Sequence, residues 1–94
     1  MALPSMPEHS PRRRGWRIRS YVLDRREFNA LRMRLPRAVR RNVEPAPEGH
    51  VGLIAQATVG SEDVALAALY GSVPADSAAD GTQTLERELA ERLA

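Results

Sequence analysis

Residues 15–35, GWRIRSYVLDRREFNALRMRL, decide the reading of this chain, because the spacing of apolar side chains changes period in the middle of them. Up to Leu23 the period is two. Trp16, Ile18, Ser20 and Val22 alternate with Arg17, Arg19, Tyr21 and Leu23, as on the two faces of a strand. From Asp24 onward the period is helical: Phe28, Leu31 and Leu35 form one stripe, Arg25, Asn29 and Arg32 the adjacent polar one, and Arg26 and Arg34 project farther round. Asp24 can cap the free N–H groups of that helix, Glu27 completes a capping-box-like pair, and Leu23 can staple onto Phe28. The stretch predicts a strand over 15–23 running directly into a helix.

Downstream of this core the signals alternate between turn chemistry and apolar runs. Pro36 lacks an N–H and disfavours helical geometry at Leu35, so PRAVRRNV is either a kinked continuation or a second short helix with proline in its first turn. EPAPEG, residues 44–49, is a loop by its prolines and glycine, and a candidate hinge. HVGLIAQATV, residues 50–59, sets Val51, Leu53, Ala55, Ala57 and Val59 against Gly52, Ile54, Gln56 and Thr58, which predicts a half-buried second strand with a buried helix as the competing reading. After Gly60, Ser61 is a credible N-cap and Glu62 and Asp63 suit the positive end of a helix dipole, so the apolar run through Tyr70 predicts a buried helix over 62–70, stopped by Gly71. VPADSAADG, residues 73–81, reads as a linker. TQTLERELAERLA, residues 82–94, predicts an amphipathic helix with Leu85, Leu89 and Leu93 on one stripe and a Glu88–Arg92 pair. Thirteen residues are marginal as an isolated helix, so this stripe has to dock in cis, in a dimer or on another protein.

The resulting fold class is α+β, a small single domain in the order arm, β, α, loop, β, α, linker, α. Its parts are a flexible basic-ended arm over 1–14, a small α/β core over 15–72, the linker over 73–81 and the C-terminal helix over 82–94. Two strands rarely stand alone as a sheet, so dimerisation or a partner is expected to complete it. At 94 residues with four aromatics, Trp16, Tyr21, Phe28 and Tyr70, the core is modest and built mainly from Leu, Val and Ala.

Charge is the clearest functional signal. Residues 12–41 hold twelve arginines against Asp24 and Glu27, a net +10, and residues 42–94 hold Arg87 and Arg92 against nine acids, a net −7; with Glu8 these give the total of +2. The chain has no lysine, which a GC-rich genome explains, but such bias does not explain why residues 42–86 lack arginine altogether. A basic block of this kind points to a polyanion, and an acidic half points to a second partner. No cysteine is present, which excludes disulfides, iron–sulfur clusters and thiolate zinc sites. No apolar run approaches the ~20 residues of a membrane span. The first residues lack an apolar core followed by a cleavage site, so a secretory signal is not expected and the protein is expected to be cytoplasmic, without a membrane partner.

Catalytic signals are thin. His9 and His50 have no neighbouring carboxylate and nucleophile in local sequence, a dyad of Glu44 or Glu48 with His50 rests on spacing alone, and the glycines match neither a P-loop nor a dinucleotide fingerprint. The expectation is a non-enzyme with no catalytic residues, cofactor, metal or small-molecule substrate. Its function is expected to be that of a small nucleic-acid-binding regulator with an antitoxin-like layout. Arg12, Arg13, Arg14, Arg17, Arg19, Tyr21, Arg25, Arg32, Arg37, Arg40 and Arg41 would bind nucleic acid, since the guanidinium fork suits phosphates and guanine edges. Leu66, Leu69, Tyr70, Leu85, Leu89 and Leu93 would hold a protein partner or a homodimer mate. The strand followed by a helix is reminiscent of ribbon-helix-helix proteins, in which alternate strand residues enter the major groove, here Arg17, Arg19 and Tyr21. Pro36 and the EPAPEG loop stand where a second long helix would follow, so the family is not assigned. Two alternatives stand beside the regulator. One is a structural or adaptor subunit of a phage virion, ribonucleoprotein or multisubunit complex, whose arginines bind protein. In the other, the basic and acidic halves neutralise each other.

Overall fold

The computed structural model describes residues 16–59 and 65–94. In chain order these form β1 (Trp16–Leu23), α1 (Arg25–Arg34), α2 (Arg37–Arg40), β2 (His50–Val59), β3 (Ala67–Pro74), a 3-10 turn (Ala75–Ser77) and α3 (Ala78–Leu93). The strands make one antiparallel sheet in the order β1-β2-β3. The fold is thus a small α+β unit whose sheet sits between two helical layers.

The strand-to-helix junction forms where the change of period places it. Asp24 Oδ1 accepts from the Glu27 backbone N–H at 2.8 Å, and Leu23 packs on the cluster around Phe28. α1 ends as Leu35 adopts extended geometry before Pro36, and Pro36 then becomes the N-cap of α2, so the second short helix is the form realised. The loop 44–49 is tied down at its centre: Ala46 is buried, its N–H donates to Asn29 Oδ1 at 2.8 Å, and its carbonyl accepts from Asn29 Nδ2 at 3.2 Å and Arg25 Nε at 3.1 Å. A loop held through three bonds to one helix is a brace, contrary to the hinge considered from sequence.

Register assigns the two faces. Residues directly opposite in an antiparallel pair share a face, so Ile18, Ala57 and Ala67 lie together, as do Ser20, Ala55 and Leu69. α3 covers this side, with Leu89 2% exposed against Ala55 and Ala57, and Trp16, Ile18, Leu69, Leu85 and Leu93 around it. Ser20 Oγ donates to Glu86 Oε2 across the same interface. On the other side α1 lies over Gly52, where Phe28, 1% exposed, occupies the space a Cβ would need.

Ala67–Tyr70 belong to a strand, so the helix read over 62–70 does not form across its described part; residues 60–64, including its proposed cap and acidic start, lie outside the described residues. Gly71 is interior to β3, where it pairs with Leu53. The linker read over 73–81 dissolves into the end of β3, the 3-10 turn and the first turn of α3, which begins at Ala78. Sheet width follows from the same correction. The third strand comes from the chain itself, which removes the argument that a dimer mate has to supply it.

Candidate nucleic-acid interface

β1 is an edge strand, and its residues 17, 19 and 21 point to the face that α1 covers only in part. Leu23, at the α1 end, is half-buried under the Phe28 cluster, whereas Arg17, Arg19 and Tyr21 are exposed, Tyr21 at 43%. Successive side chains on one face are about 6.8 Å apart, so the three form a row about 14 Å long. Behind the row, Thr58 pairs with Arg17, Gln56 with Arg19 and Ile54 with Tyr21, and Ile54 in turn pairs with Tyr70 of β3. This face therefore offers two guanidiniums and a phenol ring at its rim, with a hydroxyl and a carboxamide one strand in.

The remaining predicted arginines divide by what they touch. Arg25 Nε donates to Ala46 O at 3.1 Å, Arg32 Nε to Val43 O, and an Arg40 Nη to Met33 O at 3.1 Å. These three guanidiniums hold backbone carbonyls of the α1–α2 segment and the loop after it, which gives them a bracing role the sequence did not reveal. Arg37 and Arg41 are exposed on and just after α2. Arg12, Arg13 and Arg14, with the arm that carries them, lie outside the described residues. Among the described residues, arginine hydrogen bonds end on carbonyls or on Met33 Sδ, and none ends on a carboxylate.

The charge asymmetry along the chain becomes an asymmetry across the sheet. Residues 16–49 carry nine arginines against Asp24, Glu27, Glu44 and Glu48, a net +5, while residues 75–94 carry Arg87 and Arg92 against five acids, a net −3. The first group occupies β1 and the α1 side; the second forms the 3-10 turn and the α3 side. The sheet between them, β2 and β3, contributes no Asp, Glu, Lys or Arg. Among the described residues the two groups thus lie largely on opposite sides of the sheet, with Glu86 reaching the sheet itself, where it accepts from Ser20 Oγ.

Of the proposed partner-binding residues, Leu85, Leu89, Leu93 and Leu69 pack together beneath α3, and Tyr70 packs on the Phe28 cluster. The leucine stripe docks in cis. Leu66 is 62% exposed beside the edge of β3. A cleft of about 390 Å³ runs along that edge, bounded by Val39 and Asn42 on one side, Glu88 and Arg92 on the other, with Leu69 and Tyr70 at its floor. His50 opens β2 half-buried, its Nδ1 enclosed without a hydrogen-bond partner among the described residues. No group of three or more His, Asp or Glu side chains gathers around it or elsewhere among those residues in a metal-holding arrangement. No helix among them is long and apolar enough to cross a membrane.

The residues that sequence reasoning missed are Gln56 and Thr58. They were visible as the less apolar face of the second strand, but only the pairing register sets them beside Arg19 and Arg17. No family model, curated protein or solved structure matches this chain.

Proposed function

We propose that this protein is a non-enzymatic nucleic-acid-binding regulator, in which the β1 and α1–α2 side meets a polyanion and the opposite, acidic side is left for a protein partner or a second copy. The observation that carries the reading is the exposed row Arg17, Arg19 and Tyr21 on the same side as the α1–α2 arginines, with the acids of α3 across the sheet. Arginine forks bind phosphate oxygens bidentately, and each phosphate neutralised releases counterions, so affinity falls steeply with salt. Arg17 and Arg19 suit the task because, among the described residues, neither donates to a backbone carbonyl, unlike Arg25, Arg32 and Arg40.

The adaptor reading draws support from a different feature, the cleft at the β3 edge, which combines Leu69, Tyr70 and exposed Val39 with Asn42, Glu88 and Arg92. Under that reading the arginines bind acidic protein surface. Fluorescence anisotropy with labelled polynucleotides over a salt series separates the two. Binding whose log affinity falls linearly with log salt, lost in the Arg17→Glu/Arg19→Glu variant with its fold retained, supports the regulator. Absence of binding even at low salt points to a protein partner.

A further inference from the structure

Tyr21 differs from every other aromatic described here in its setting: it stands at the exposed rim of an edge strand, flanked along its face by Arg19 and followed by Leu23, which is already under the α1 cluster. The bases of a duplex are stacked on one another and offer no free face to a tyrosine ring, whereas an unpaired base turns out of the backbone and stacks on an aromatic face with little regard to its identity. Gln56 and Thr58, set one strand in from Arg19 and Arg17, add hydrogen-bonding groups for the base edges that pairing would otherwise occupy.

We infer that the ligand of this face is a single-stranded polynucleotide, with a base stacked on Tyr21 and its phosphates along Arg17 and Arg19. The inference rests on the nucleic-acid reading above and narrows it. Single-stranded DNA and RNA share the chemistry involved, and the oligonucleotides used in the test tell them apart.

The test compares full-length wild-type protein with Tyr21→Ala and Tyr21→Phe on oligo-dT, on oligo-U and on a DNA duplex of equal length, by fluorescence anisotropy at several salt concentrations. Single strands should bind at least about tenfold more tightly than duplex, with the better of oligo-dT and oligo-U naming the source. Tyr21→Ala should weaken single-strand binding by about 5- to 100-fold with the salt slope unchanged, and Tyr21→Phe should stay close to wild type. Equal affinity for duplex and single strand, with Tyr21→Ala neutral on both, overturns the inference but leaves phosphate binding by the arginines intact. Binding of no polynucleotide at low salt overturns the reading beneath it. A second measurement needs no variant: ultraviolet cross-linking of wild-type protein to the preferred strand should place the adduct on Tyr21, and an adduct confined to other positions overturns the stacking role.

Discussion

Gly52 and Phe28 show how much of this fold turns on single positions. A Cβ at Gly52 would fall within the Phe28 side chain, and Phe28 anchors the whole cluster of Val43, Ala46, Leu23, Leu35 and Tyr70. Gly52→Ala should therefore cost about 1–3 kcal/mol or more by forcing α1 off the sheet, and Phe28→Ala about 3–5 kcal/mol, both measured as shifts in urea denaturation. A milder change at either position would mean that α1 rides on other contacts. Asn29 makes a second such point, since its carboxamide meets both the N–H and the carbonyl of buried Ala46. Asn29→Ala leaves the Ala46 N–H unpaired, while the carbonyl keeps Arg25 Nε, and should cost about 1–3 kcal/mol, whereas Asn29→Asp keeps the acceptor and should cost less. The helical period around Asn29 showed it on a polar stripe, but nothing local disclosed that its partner lies seventeen residues away. Arg32 belongs to the same class: it reads as one more basic surface residue and is spent on the Val43 carbonyl.

Among the elements, β3 and α3 show where local reading and tertiary structure part. Residues 67–74 carry Ala, Leu and Tyr on both faces because both are covered, Ala67, Leu69 and Val73 toward α3 and Ala68 and Tyr70 toward α1. A strand partly covered on both faces loses its alternation and reads like a buried helix. The helix preference of Ala and Leu amounts to a few tenths of a kcal/mol per residue, and pairing the open edge of β2 outweighs it. α3 was legible as an amphipathic helix; its target was not. Leu89 sits on the two alanines of β2, whose small side chains let the helix approach closely. Leu89→Ala should cost about 2–5 kcal/mol, and Leu93→Ala, half-buried near the chain end, clearly less, again by urea denaturation. Equal effects would mean that the stripe docks along its length on something other than the Ala55–Ala57 patch.

At the scale of the whole molecule, the described residues place a mainly basic layer and a mainly acidic layer on opposite sides of the sheet, whose strands β2 and β3 are uncharged. If the two halves neutralised each other within the chain, molar salt would weaken the fold. Charges separated by a sheet are screened already at ordinary ionic strength, so stability should change by less than about 1 kcal/mol between low and molar NaCl, a Tm shift under about 4–8 °C. A larger loss by calorimetry would restore internal neutralisation as the role of the arginines. The same layout separates fold from binding. Arg17→Glu/Arg19→Glu should keep the wild-type circular dichroism spectrum while abolishing polyanion binding. Adding Arg32→Glu would blur the result, because that side chain braces the backbone.

β1, its junction with α1, the break at Pro36, β2 and the C-terminal amphipathic helix were legible in the chain alone, along with the segregation of charge along it. Each of these rests on neighbours within a few residues: an alternation, a cap, a missing N–H, a repeat of leucines. Long-range packing is what brings residues 67–74 into the sheet, turns three arginines into braces while two stay exposed on the face of Tyr21, and sets the described basic and acidic segments on opposite sides. These depend on which strand edges pair and which faces the helices cover, and that pairing is chosen by contacts between residues far apart in the chain, which local periodicity does not encode.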